Sequence, residues 1–384
     1  APLSPGVGRP GAWPLPKEVG PRGGAMRFYV SGKWGFTLIW GYYGSVLPLA
    51  VVMAIPNAVL TFILSTLNEQ EVYTQDADTT NTAWSILGVF SSCMFFVLNF
   101  RSRIAYNRWW EGGTLLQQTR GEWFNGFSSL IAFCNPSPDM AKKVEEFQHL
   151  LVRLMSMLYC CALQQVSPDR DRPFEILSPD GVDPDSLKML AKTTDKVEVI
   201  LQWIQRLITL SMYNGVIVVA PPVVTRAYQE LSRGIVNLQN ARKIADFPFP
   251  FPFAQASIVM LCLHWGVVPV LCSMLLSRVL ATSVAFVVIC FLWCQNFIAL
   301  QLESPFGSAP NDLPMQQMQM DWNNSLRALM NPHAQRPPRF SFDRERHRQL
   351  RVMMSDGTLS DGTQPMETLE GARRSAVYVN GSGT

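Results

Sequence analysis

Residues 36–64 carry no charged side chain, a run long enough to cross the roughly 30 Å hydrocarbon core of a bilayer as a helix. Pro48 and Pro56 interrupt it and predict a kinked helix whose freed carbonyls are satisfied by neighbouring helices. A second apolar run, 84–100, passes into a charged but still helical pattern over 101–134, fading near Leu130 and stopped by Pro136 and Pro138. That change of composition along one helix predicts an element that starts in lipid and continues into water. Two more apolar helices, 254–277 and 279–301, meet at Ser277 and Arg278, and so short a link predicts an antiparallel hairpin. With four spans, both termini lie on one side.

Over 143–164 the apolar residues Phe147, Leu150, Leu151, Leu154 and Leu158 recur three and four apart, as on an amphipathic helix outside the membrane. Residues 167–185, rich in Pro, Asp and Gly, read as a surface loop. The stretch 186–244 reads as further extramembrane helix, in two pieces over 186–212 and 222–244. The Phe-Pro repeat after Asp246 excludes a regular helix there. Residues 321–384 are read as a polar tail, most clearly past Arg336, with Ser-Asp-Gly-Thr at 355–358 and again at 360–363. Such a tail buries too little apolar surface to fold alone, and is expected to be flexible or bound to a protein partner.

Composition turns these apolar runs from candidate core into candidate membrane spans: 48% of the residues are apolar, 16% are charged and the mean hydropathy is +0.10. The net charge of +3 is small and no basic block stands out, which argues against a nucleic-acid partner. Most of the eight cysteines lie in apolar stretches, where a thiol behaves as a small hydrophobe. Adjacent Cys160 and Cys161 are poorly placed for a disulfide. The chain opens on Ala1, and residues 1–25 form a Pro- and Gly-rich, flexible segment. That is the expected mature end after removal of a targeting peptide, although a trimmed chain has the same look.

No P-loop, dinucleotide-type glycine fingerprint, His-Glu-x-x-His or Gly-x-Ser-x-Gly occurs, so no enzyme activity and no cofactor are expected. The histidines are scattered without metal spacing. His264 falls inside a span, as a functional intramembrane group or as a hydrogen-bonded core residue. Ser92, Phe96 and Phe100, spaced by four, share one helical face. Arg101, Arg103 and the run Asn107, Arg108, Trp109, Trp110, Glu111 follow at once. Core packing and an interfacial aromatic belt are the plain readings of this pattern.

The run Phe-x-x-x-Phe followed by Asn-Arg-Trp-Trp-Glu resembles the pore helix and Arg-Trp-Trp signature of the bestrophin family. Three further motifs agree in order: Gly44-Ser45-Val46, the Pro-rich entry at Phe249 to Phe253, and Ser304-Pro305-Phe306-Gly307 followed by Asn311-Asp312-Leu313-Pro314. The resemblance covers roughly residues 26–320. It implies an all-α membrane protein with four transmembrane helices per subunit plus a helical extramembrane region, assembled as a homopentamer around a central pore. The implied function is a passive channel for small monovalent anions, chloride first, then bicarbonate or nitrate. The pore neck falls on Ser92, Phe96 and Phe100, with serine where the family usually has an apolar residue. Arg101 and Arg103 either attract anions or are salt-bridged in the helical body. A second constriction falls near Leu231 or Ile235. Animal members bind calcium through acidic residues after Pro-Phe-Gly. Here Ser308, Ala309 and Pro310 stand in that place, leaving at most a weak calcium site at Gln301, Asn311 and Asp312, so calcium gating is doubtful. The Asn-Asp-Leu-Pro form looks like the bacterial and plastid branches, and points to an organelle membrane, the thylakoid first, with a bacterial-type or plasma membrane as alternatives. A non-conducting structural or assembly subunit that keeps the fold is the rival reading. Coupled transport lacks an inverted repeat or a charged mid-span site.

Overall fold

The computed structural model describes residues 41–67 and 77–347. Among these, regular structure is helical, apart from one isolated antiparallel bridge between Cys134 and Ile217. Among the described residues four helices are long and apolar enough to cross a membrane.

Helix α1 (Leu47–Leu67) starts well inside the apolar run, because 41–46 form a turn with Gly44 at φ +72°. Pro48 therefore sits in the first helical turn, where its missing N–H breaks no bond. Only Pro56 lies in the helix interior. Residues 36–40 of the expected span lie outside the described residues. The buried face of α1 is a stripe of small and polar side chains, Ala50, Ala54, Asn57, Thr61 and Ser65, packed chiefly against α8 (Arg278–Leu302). Small residues let membrane helices approach closely. Asn57 donates to the Trp265 carbonyl at 2.6 Å, and Trp265 Nε1 donates to the Met53 carbonyl at 2.9 Å. These bonds tie α1 to α7 (Phe251–Leu275).

Helix α2 (Ala77–Ala132) is continuous for 56 residues, about 84 Å at 1.5 Å per residue. Its first half packs on α7 and α8, its second on α6 (Pro221–Asp246). Helix α7 begins at Phe251, inside the Phe-Pro repeat that was expected to exclude a helix. Pro252 stands in its first turn, where proline is tolerated, so the exclusion holds only for the residues before it.

The body outside the spans comprises α3 (Ala141–Val166), α4 (Pro184–Lys192), α5 (Lys196–Tyr213), α6 and α9 (Met315–Leu329). Asp183 caps α4, accepting from Ser186 N at 2.9 Å. The stretch 186–244 is thus three helices, broken at 193–195 and 214–220. The core of the body is aromatic: Trp123, Tyr159 and Trp322 are fully buried, with Trp123 edge-on to Tyr159. The Trp123 ring lies so close to Gly234 on α6 that any side chain there would collide with it.

The polar tail expected from residue 321 begins later. Helix α9 runs to Leu329, burying Met315, Met318, Trp322 and Leu326 at three- and four-residue spacing. It escapes a reading by composition because its buried face also carries Gln319 and Asn323. These are paid for by hydrogen bonds, Gln319 Nε2 to the Ser156 carbonyl and Asn323 Nδ2 to the Glu175 carbonyl. Residues 337 onward belong to a separate unit, whose described part holds one short helix, α10 (Arg344–His347).

Candidate functional site

On the membrane half of α2, Phe96 is 72% and Phe100 51% exposed, and Ser92 is exposed beside them, whereas Met94 and Leu98 on the opposite face are fully buried. Neighbouring Phe95 instead stacks on Phe291 of α8 at 6.1 Å. The three residues expected to form a neck are thus brought onto one face that no other described part of the chain covers. Arg103, Asn107, Trp110 and Thr114 continue this exposed stripe at helical spacing. Behind the stripe, fully buried His264 meets Ser91 Oγ through Nε2 at 2.9 Å and packs on Phe90, so it is a hydrogen-bonded core residue.

The two arginines after Phe100 part ways. Arg101 is buried: its Nε donates to Glu303 Oε1 at 2.7 Å, its Nη1 to Asn296 Oδ1 at 3.0 Å, and its guanidinium lies 5.6 Å from the centre of the Phe249 ring. It is the salt-bridged residue of the two readings and lies off the exposed stripe. Arg103 is exposed on the stripe with Phe96 and Phe100.

Two turns beyond Arg101, Arg108 donates through Nε to the Glu303 carbonyl at 3.3 Å and through Nη2 to the Ile244 carbonyl at 2.8 Å. It thereby serves the C-terminal ends of α8 and α6, where unpaired carbonyls and the helix dipole favour a cation. Trp109 Nε1 donates to the Asn311 carbonyl at 3.0 Å, and Trp110 is 61% exposed and stacks with Tyr106. Gly112 faces the buried Phe306 ring, which stands 3.0 Å from where a β-carbon would be, so the loop 303–314 lies directly on α2. Asn107 and Glu111 are exposed. The signature is therefore a docking seam between α2, the loop and the ends of α6 and α8.

A family model described as the bacterial/fungal bestrophin protein matches residues 33–328, the whole of this arrangement. The chain belongs to the bestrophin family. Crystal structures of two point variants of a bacterial bestrophin homologue from Klebsiella pneumoniae share its fold. One aligns at TM-score 0.59 and 16% identity over 74% of this chain and 99% of its own; the other at 0.59 and 16% over 73% and 99%. A crystal structure of a membrane protein variant aligns at 0.58 and 18% identity over 75% and 98%. No curated protein matches. Family and spans together make the chain an integral, multi-pass membrane protein.

One expectation drawn from the bestrophin pattern meets a different geometry at Leu231. Leu231 is fully buried, its carbonyl accepting from Trp123 Nε1 at 3.2 Å, and Ile235 packs against the body core. Leu231 has no exposed surface to offer a constriction, because α6 turns this face toward α2, and Ile235 is half-buried. The exposed large apolar residues of α6 are Val223 and Val236. Calcium takes about six to eight oxygen ligands, several of them carboxylate. Here Asn311 Nδ2 donates to the Gly44 carbonyl at 2.9 Å and to Gln301 Oε1 at 2.6 Å, so both oxygens are already satisfied by a donor. Asp312 Oδ2 accepts from Ala309 N at 2.6 Å, and burial pushes its carboxyl up. Gln301, Asn311 and Asp312 offer a single carboxylate, where calcium takes several. Among the described residues no group of three or more His, Cys, Asp or Glu could hold a metal.

Sequence reasoning missed Glu303 and Asn296, the partners of Arg101. The available signal was a carboxylate and an amide at the end of an apolar helix, each costly unless paired.

Proposed function

We propose that this bestrophin is a passive anion channel, formed by five copies of the chain with α2 of each lining the pore, and that it passes chloride and also bicarbonate or nitrate. The observation that carries this reading is the uncovered face of α2, on which Ser92, Phe96, Phe100 and Arg103 stand exposed in line. Rings of Phe96 and Phe100 make a constriction that resists wetting. Their edges carry positive potential and favour a partly dehydrated anion over a cation. A ring of Arg103 just beyond raises the local anion concentration. Ser92 makes the outer end of the neck wetter. Opening needs no calcium, since the expected clasp offers a single carboxylate, Asp312, where calcium takes several. No catalytic step is proposed. The resemblance to bacterial and plastid branches favours a thylakoid membrane, which fractionation of tagged protein would test.

Purified protein in a planar bilayer under a potassium chloride gradient is expected to reverse near the chloride equilibrium potential, with and without a calcium chelator. Reversal near the potassium potential overturns the reading. A pentamer that stays silent even with Phe96→Ala and Phe100→Ala favours the structural-subunit reading instead.

A further inference from the structure

We propose that Glu303 is a positioning residue for the neck, holding α2 in the rotation that turns Phe96, Phe100 and Arg103 outward, and that it thereby sets anion selectivity. This rests on the channel reading above.

Arg101 and Arg108 lie two turns apart and so share a face of α2. Arg101 follows Phe100 by one residue, which places it roughly 100° around the helix from the neck face. Both converge on Glu303. Its carboxylate accepts from Arg101 at 2.7 Å, and its carbonyl accepts from Arg108 at 3.3 Å. The Arg101 and Glu303 side chains are only 3% and 15% exposed, so the pair is largely shielded from water. Asn296 supplies the other acceptor for Arg101, leaving its own Nδ2 buried without a partner. Phe249 covers the guanidinium from the side. One residue at the end of α8 therefore grips the back of α2 at two levels, beside the inner end of the neck and one signature length below it.

The charge matters beyond geometry. Arg101 and Arg103 are two residues apart, yet only Arg103 faces the stripe. Paired with the Glu303 carboxylate, the Arg101 charge is balanced and kept off the exposed stripe. Without that carboxylate, a buried cation has no counter-ion, and α2 is driven to turn or shift until Arg101 reaches water. Phe100 and Arg103 then leave the pore axis. Glu303 also begins the loop that carries Phe306 and Asn311 on α2, so a disturbance in that loop reaches the neck through this one side chain.

The test uses the full chain reconstituted in bilayers and compares wild type, Glu303→Gln, Glu303→Asp and the double variant Glu303→Gln with Asn296→Asp. The double variant moves the carboxylate to the other acceptor of the same guanidinium. Glu303→Gln is expected to lower the chloride-over-sodium permeability ratio about tenfold. Glu303→Asp should lose less, and Asn296→Asp should restore most of the loss. Melting curves read folding separately, since a merely structural residue would change the melting temperature without changing the ratio. Should Glu303→Gln fail to assemble, Asn296→Ala is the replacement test, with a smaller loss in the same direction. A wild-type ratio in Glu303→Gln, or a loss that Asn296→Asp does not repair, overturns the proposal. Wild-type protein that passes no anion current refutes the channel reading, whereas wild-type anion current with an unaltered variant refutes this inference alone.

Discussion

In the membrane half of α2 the large aromatics Phe96 and Phe100 stand exposed while Met94 and Leu98 are fully buried. In the body half, past Trp110, Trp123 and Phe127 are fully buried, and the exposed positions include Glu111, Thr114, Gln117, Gln118 and Asn125. One helix thus obeys two rules. Where water surrounds it, the apolar effect sorts side chains and exposure follows polarity. Where lipid surrounds it, an apolar side chain gains little by turning inward, and packing, small residues and hydrogen bonds decide what is buried. Exposure of a phenylalanine there is therefore no defect, and leaves the residue free for a role between subunits.

The largest expected effect lies in the body half. Trp123→Ala removes a ring that is edge-on to Tyr159, pressed on Gly234 and bonded to the Leu231 carbonyl, and should cost about 3–5 kcal/mol in chemical denaturation. A cost under about 1 kcal/mol would mean that the two halves follow one rule after all. Leu98→Ala, equally buried but in the membrane half, should cost only about 1–3 kcal/mol, because the cavity is lost but little transfer free energy. Equal costs at Trp123 and Leu98, scaled for volume, would break the comparison.

A weaker effect concerns the seam between the halves. Burial raises the Asp312 carboxyl, and the Ala309 N–H and Arg172 only partly oppose this. A raised value means that the folded chain holds the proton more tightly than the unfolded chain. The stabilisation is then complete below the ordinary carboxylate value and is lost as pH rises through the raised one. The wild-type melting temperature should accordingly drop as pH rises from acid toward neutrality, and the slope should flatten in Asp312→Asn. An unchanged slope in the variant would remove Asp312 as its source.

The smallest effect on stability is expected where function is most exposed. Phe100→Ala should change the melting temperature by the equivalent of no more than about 0.5 kcal/mol, yet raise anion current by relieving the constriction. A large loss of stability without a change in current would make Phe100 a packing residue.

Much of this was legible from one dimension. A charge-free run, an apolar run that becomes charged mid-helix and two apolar helices with no room between them are consequences of bilayer thickness and of backbone hydrogen bonding in lipid, and both act on local stretches. The prolines were read less well. Pro48 and Pro252 break nothing because each stands in a first turn, and the start of a helix depends on its neighbours as well as on its own residues. Helix α9 was missed because its buried Gln319 and Asn323 look like surface until their partners on α3 and before α4 are known.

Local pattern was enough to identify four spans and the face that Ser92, Phe96 and Phe100 share, because helical periodicity and transfer between water and lipid depend on the order of residues alone; the signature around Arg108 came from its resemblance to the bestrophin family. Pattern could not separate Arg101 from Arg103, or keep Leu231 out of a pore. Those outcomes depend on Glu303 and Asn296, about two hundred residues away, and on Trp123 of a different helix. A charge becomes a counter-ion or a free cation only when the chain has brought, or failed to bring, an opposite charge to it.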